Sequence, residues 1–377
     1  MSIRVLQVGK FYPPHAGGIE TTTKDIFEVN GDGYVCDVLC FSSSGKTIIE
    51  THPTGKIIRC GTLFNLFSMP FSFSYFYYFI KIHKQYDVIH LHHPNPQPFV
   101  CLLFLRLKAK LLIHWHSDIL NKGLFYKLFA PIEKQVLKKA DCIAGTTPVY
   151  IDSSPMLQPF LSKTTFVPSA FDEASLQYDD SSIKAIQKKY NDRKIIFALG
   201  RHVNYKGFNF LITAAKSLGD DVVVLIGGVG PLYDYHKKLI TELHVEDKVF
   251  LVGRIPNEEL GNYYKACSIF CLPSCHKSEA FGLVMIEAMY FGKPIVATKI
   301  PGSGVSWVND DGVTGLNAEN ENPASLAGKI TILLKNAALR EEYGSNAHKR
   351  FMENFTSKIL RQRFFKLYNK ITGATQD

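Results

Sequence analysis

Acidic residues are in short supply: 34 Asp and Glu stand against 43 Lys and Arg in 377 residues, a formal charge of +9. That balance favours anionic partners such as a diphosphate or a negatively charged membrane surface. Nucleic acid is the other anionic class, but the chain carries no clear nucleic-acid-binding motif. Cys-x-x-Cys is also missing. The eight cysteines are scattered through apolar runs, as at Cys36, Cys40, Cys101, Cys142 and Cys271, and read as buried reduced thiols. Cys267, Cys271 and Cys275 are evenly spaced but straddle a strand and its following loop, a poor zinc geometry. No charged n-region with an apolar h-region opens the chain, so a cytoplasmic location is expected. No Gly-x-Gly-x-x-Gly follows the first strand, which excludes the dinucleotide fingerprint. An unbroken apolar span is lacking too. Leu63 to Ile80 has no charged residue over eighteen positions, yet Asn65, Pro70 and three serines interrupt it. It reads as a loop and a ring-rich helix, Tyr75 to Phe79 at its centre, at a surface or membrane interface.

What the chain does have is a repeated alternation of short apolar runs with helical periodicity. Strands are expected near residues 3–9, 34–41, 57–60, 86–91, 110–115, 141–145 and 163–167, then near 194–199, 222–227, 248–252, 268–273 and 294–298. This pattern predicts an α/β fold with parallel sheets covered on both faces. The polar stretch Ser169 to Ser182, holding Asp172, Glu173, Asp179 and Asp180, is the expected linker. With 46% hydrophobic content the chain can bury two cores. Thr356 to Ile371 places Ile359, Leu360, Phe364, Leu367 and Tyr368 at helical spacing. A helix from Lys122 to Lys139 sets Phe125, Phe129, Ile132 and Val136 in one stripe beside Lys122, Lys127, Lys134, Lys138 and Lys139. That stripe suits either packing with solvated lysines or an anionic lipid surface.

Several polar groups stand at the carboxyl ends of these strands, the edge where open α/β sheets bind ligands. Glu279 follows the strand ending at Pro273, and Glu287 lies eight positions on, about 12 Å of helical rise. Two hydroxyl-accepting carboxylates at that separation suit a nucleotide-sugar; alone, they equally suit a helix cap and a surface ion pair. Arg201 and Lys206 follow the strand ending at Gly200 and can clamp a diphosphate, Arg as a fork and Lys as a point charge. Gly17 and Gly18 open a helix near Ile19 and let the backbone approach an anion. His114 and His116 share a strand face before Asp118, which suits polar recognition of a sugar. A metallohydrolase is the rival reading, since His-x-His-x-Asp begins some metal sites and His90, His92 and His93 offer more ligands. That pattern wants a histidine after the Asp, where Ile119 stands.

Taken together, the Glu279-x7-Glu287 element, the Arg201-x4-Lys206 pair and the early Gly17-Gly18, in that order, resemble the family 4 retaining glycosyltransferases of the B-type fold. The opening Gly9 to Pro14 followed by Gly17 to Glu20 is similar to bacterial enzymes building O-antigen and other surface polysaccharide. The resemblance implies two facing Rossmann-like domains, residues 1–170 with a C-terminal helix at 356–377 crossing back to them, and the nucleotide-sugar-binding domain at 171–355. It implies that Glu279 holds donor-sugar hydroxyls, Glu287 the ribose hydroxyls and His116 the donor sugar, while Gly17 and Gly18 approach the phosphates. The N–H groups of Phe281, Gly282 and Leu283, with Arg201 and Lys206, would neutralise charge growing on the diphosphate. No Asp-x-Asp occurs, so no metal or other cofactor is expected. The expected partners are a nucleotide-sugar donor, GDP-mannose first and UDP-hexose or UDP-N-acetylhexosamine next, a lipid-pyrophosphate-linked or glycan acceptor, and an anionic membrane face, with no nucleic acid. A nucleotide-sugar epimerase of similar build is a nearer rival than the metallohydrolase.

Overall fold

The computed structural model describes residues 2–15, 17–28, 34–66, 69–120 and 123–374, without the side chains of Leu66, Leu124 and Phe125. Ala16, Lys122, the Phe125 side chain and residues 375–377 of the expected first domain therefore lie outside the described residues. The chain divides into two compact units, Met1–Ser169 with Ser357–Asp377, and Ala170–Thr356.

Unit 1 holds β1 (Ile3–Val8), β2 (Tyr34–Phe41), β3 (Ile48–His52), β4 (Gly55–Cys60), β5 (Phe64–Leu66), β6 (Met69–Phe71), β7 (Val88–His93), β8 (Lys110–Trp115), β9 (Cys142–Gly145) and β10 (Thr164–Phe166). Eight of these form one sheet in the order β10-β9-β8-β7-β1-β2-β4-β3. All its pairings are parallel except β3 with β4, so the sheet is mixed rather than wholly parallel. The exposed β3 hairpin caps the edge. β7 is buried at every position, as a central strand covered by helices on both faces must be. The chain order reverses at β1, whose neighbours are β2 and β7, and that switch point puts a crevice at the carboxyl ends of β1 and β7. The helix Ser357–Thr372 belongs to this unit and packs on the helix Gly18–Phe27, with the Tyr34 and Phe365 rings stacked 4.3 Å apart.

Of the segment Leu63 to Ile80, expected as a loop and a helix, residues 67 and 68 lie outside the described residues; β5 and β6 pair antiparallel and the helix Phe73–Ile82 follows. Its N-cap Ser72 accepts from the Tyr75 N–H, the geometry that ends the loop and starts the helix. Tyr75 and Phe79 are buried while Phe73, Tyr77 and Ile80 are exposed. Among the described residues no helix is long and apolar enough to cross a membrane.

Unit 2 holds β11 (Lys194–Leu199), β12 (Val222–Gly227), β13 (Val249–Gly253), β14 (Ile269–Leu272), β15 (Ile295–Lys299) and β16 (Gly315–Glu319). They form a wholly parallel sheet ordered β13-β12-β11-β14-β15-β16. Alternate side chains of β11 feed two cores: Ile195 and Phe197 join one, Ile196 and Ala198 the other. The order reverses between β11 and β14, so the loops after these two strands flank the binding crevice of the unit.

Candidate active site

Those two loops bring Lys206 and Glu279 together. Lys206 ends a short turn after β11, and its Nζ donates to Glu279 Oε2 at 2.5 Å across 73 positions of sequence. Ser274 Oγ donates to the same oxygen at 2.9 Å. Both partners of the ion pair are largely buried. The approach depends on Gly207, which has φ +64° and would put a Cβ 2.1 Å from the Pro273 carbonyl oxygen. Only glycine lets the two loops come this close. The Glu279 loop is pinned from β15 and the turn after it: Thr298 Oγ1 donates to the Ser274 carbonyl, Ser303 Oγ to the Glu279 carbonyl, and Gly304 N–H to the Ala280 carbonyl. Burial pulls the Lys206 pKa down, but Glu279, Tyr205 and Glu287 outweigh it and the net shift is upward. Lys206 stays an ammonium.

Arg201 does not join this pair. It is exposed, and its guanidinium has no hydrogen bond or ion pair among the described residues. A loop fork of that kind is available to an incoming anion. Gly282, at φ +83°, caps the helix Leu283–Tyr290, whose Met285, Ile286, Ala288 and Met289 are buried. The N–H groups of Phe281, Gly282 and Leu283 precede the turn closed by Met285 N–H on the Gly282 carbonyl, so they are the orphan donors of this helix start. Glu287 lies further along the helix. Tyr264 OH donates to its Oε2 at 2.6 Å. Burial raises the Glu287 pKa, against the pull of the Tyr264 hydrogen bond and Lys206.

In unit 1 the helix starts at Gly18, with Gly17 as its extended N-cap. The space beside Gly17 is taken by the Glu20 carboxylate, which lies 2.1 Å from where a Cβ would sit. An anion reaching this turn must displace Glu20.

His90 and His92 on β7, His114 on β8 and His116 directly after β8 share one face, because β7 and β8 run in register with His92 opposite His114 and His116 N–H continues the pairing onto the His93 carbonyl. Burial, then neighbouring imidazoles, push His90, His92 and His114 well below the ordinary histidine value and His116 to about 3, so all four are neutral at physiological pH. Ring nitrogens of His90, His92 and His114 lie within 4.8 Å of one another, the spacing of a metal triad. The ring planes do not suit one. An imidazole lone pair lies in its ring plane, and His90 stacks on His92 at 4.5 Å with 15° between planes, so both cannot aim at one ion without turning. Both nitrogens of His92 are also engaged, with Gln7 Oε1 at 2.9 Å and His116 Nε2 at 3.0 Å. His93 points to the opposite face, where it stacks on Trp115 and meets Glu133 Oε1 at 2.6 Å. His93 is therefore set apart from the other four, and His90 and His92 would have to turn their rings to share an ion.

Residues 179–350 match the family described as glycosyl transferases group 1, and residues 16–149 match glycosyltransferase family 4. Over 98% of its length the chain is 29% identical to O-antigen chain mannosyltransferase C of Escherichia coli, covering 99% of that protein. The chain is a glycosyltransferase of the B-type fold. It is 28% identical to the D-rhamnosyltransferase WbpZ of Pseudomonas aeruginosa over 94% of its own length and 93% of the relative's. Among solved structures, sucrose-phosphate synthase of Thermosynechococcus elongatus superposes with a TM-score of 0.79 at 21% identity, covering 99% of this chain and all of that one. Anabaena HepE with UDP-glucose superposes at 0.77 and 20% identity over 98% of this chain. The two-unit fold of this glycosyltransferase is thus shared with enzymes of low sequence identity. Its sequence motifs point to Lys206, Glu279 and Glu287 but not to Ser274, nor to Tyr264 and Gln7, whose contacts are long-range, and they offer His92 only as a metal ligand. Ser274, directly after the strand-ending Pro273, is the one of these that a strand-end search would reach.

Proposed function

We propose that this glycosyltransferase moves a hexose from a nucleoside diphosphate, mannose from GDP-mannose as first choice, to a lipid-pyrophosphate-linked or glycan acceptor in surface polysaccharide assembly. The buried Lys206–Glu279 pair at the switch point of unit 2 carries the reading. It places a cation for the diphosphate beside a carboxylate for sugar hydroxyls, with the orphan donors of the helix start and Glu287 beyond them. The mannosyl- and rhamnosyltransferase relatives favour the donor class, and the HepE structures, solved with UDP and with UDP-glucose, support the UDP-hexose alternative. Anomeric configuration is retained by front-face attack, in which a donor phosphate oxygen takes the acceptor proton, so no carboxylate nucleophile is needed. Charge on the leaving diphosphate is met by Lys206, Arg201 and backbone N–H groups, without a divalent ion. The exposed Phe73, Tyr77 and Ile80, with the lysines of the helix Gly123–Lys139, attach the protein to the inner face of the cytoplasmic membrane.

A panel of nucleotide-sugars tested for thermal stabilisation, then for turnover with a lipid-pyrophosphate acceptor in EDTA, decides these points. GDP-mannose should stabilise most and turn over with chelator present. Turnover without acceptor would instead favour an epimerase, and complete loss in EDTA restored by one divalent ion would overturn metal independence.

A further inference from the structure

Gln7 is wholly buried in β1, and its side chain fixes protons two residues away. Its Nε2 donates to the Thr23 carbonyl oxygen at 3.2 Å and to Cys36 Sγ at 3.4 Å. A carbonyl oxygen only accepts, so the amide cannot be turned round, and Oε1 is the atom that faces His92 Nε2 at 2.9 Å. That oxygen also only accepts. His92 must therefore hold its proton on Nε2 and present a bare Nδ1 to His116 Nε2, 3.0 Å away. The two rings are within 15° of coplanar with centroids 5.3 Å apart, as an in-plane N–H···N bond requires. His116 must donate through Nε2. It is left with Nδ1 unprotonated, on a residue that keeps 8% exposure while His90, His92 and His114 keep 1% or less.

We propose that Gln7 and His92 are positioning residues that hold His116 in its Nε2–H tautomer, so that His116 meets a sugar hydroxyl as a hydrogen-bond acceptor through Nδ1. The chain Thr23–Gln7–His92–His116 lies wholly within unit 1 and is complete before any substrate binds. The tautomer is the consequence of one amide orientation, in the way a ligating or catalytic histidine is set by the bond its other nitrogen makes. The sugar-facing role rests on the reading of His116 given above; the tautomer does not.

The test uses the full chain labelled with 15N-histidine, with the His116 signals assigned by His116→Gln. Long-range proton–nitrogen correlation should show His116 protonated at Nε2 and bare at Nδ1. Gln7→Met, which removes the acceptor at nearly constant volume, should mix the two tautomers and lower kcat about tenfold with donor KM within about twofold, the scale of one lost hydrogen bond. Gln7→Glu, whose wholly buried carboxyl as the neutral acid donates to the Thr23 carbonyl and accepts from His92, should recover the single tautomer and turnover; it also serves if Gln7→Met does not fold. His116 protonated at Nδ1 in the wild type, or unmoved by Gln7→Met, overturns the relay. A tautomer that shifts as expected while turnover is unchanged keeps the relay and overturns the sugar-facing role of His116.

Discussion

Lys206 illustrates how one residue changes meaning between sequence and structure. In sequence it stands among polar residues with no carboxylate near it; in the fold it is clamped on Glu279, 73 positions away. The proposed diphosphate cation is therefore held by a carboxylate in the absence of any donor, and the pair is a unit with Ser274. Breaking a buried pair by removing one member leaves an unpaired charge at a cost of about 3–5 kcal/mol. Lys206→Met should accordingly lower the urea stability of the protein by about that amount, and adding Glu279→Gln should restore most of it while turnover stays lost. Equal stability of Lys206→Met and wild type would show that water, not Lys206, satisfies Glu279. Tyr264 has no counterpart in the sequence reading, since a tyrosine on an amphipathic helix signals core. Its hydroxyl orients Glu287 and holds the carboxylate against the burial that would protonate it. Tyr264→Phe should weaken nucleoside diphosphate binding about five- to tenfold, the scale of a hydrogen bond to a charged group. Calorimetry giving equal affinity would leave Tyr264 a packing residue only.

Elements whose signal is local were readable in advance. The strands of both sheets declare themselves because buried parallel strands are continuous apolar runs, as in Val222–Gly227. Two strands of these sheets escaped, as did the separate β5-β6 pair, which falls where a loop was expected. Ile48–His52 is an exposed edge strand whose pairing with Gly55–Cys60 comes from the hairpin rather than from burial, and Gly315–Glu319 ends in polar residues because it closes the other sheet. The helix Gly123–Lys139 was legible, with Phe129 and Val136 buried, but its lysines are not equivalent. Lys139 Nζ donates to the carbonyls of Leu102 at 2.7 Å and Leu103 at 2.8 Å, closing the carboxyl end of the helix Pro96–Phe104. That is a capping contact, favoured also by the helix dipole. Lys139→Ala should therefore destabilise the fold by about 1 kcal/mol. A charge test of membrane binding belongs on the exposed Lys127, Lys134 and Lys138 instead. Replacing those three with Glu should release the protein from anionic vesicles at low salt, each lysine being worth about 1 kcal/mol near such a surface. Equal binding of wild type and variant to neutral and anionic vesicles would make them a solvated face.

For the whole molecule the distribution of buried histidines sets an asymmetry between the two units. Unit 1 keeps His90, His92, His114 and His116 neutral, the first three well below their ordinary value and His116 at about 3, while unit 2 buries His202 and His236, each lowered to about 4. Burial is the main cause throughout. Because these values are depressed in the folded state, the unfolded chain binds protons first as pH falls. The stabilising contribution is thus complete above about pH 6.5 and is lost between that pH and the folded values, at up to about 1.4 kcal/mol per pH unit for each histidine. Burial lowers His83 of unit 1 as well, and five such groups against two mean that acid weakens unit 1 more steeply. The chain's two tryptophans report the units separately, Trp115 on β8 and Trp307 in unit 2. In Trp307→Phe and Trp115→Phe variants, urea midpoints measured from pH 8 to pH 5 should coincide or differ modestly at the upper end. Below about pH 6.5 the Trp115 transition should fall away faster. Midpoints that fall in parallel for both reporters, or that rise with acidification, would mean that these five imidazoles of unit 1 are not held neutral by the fold.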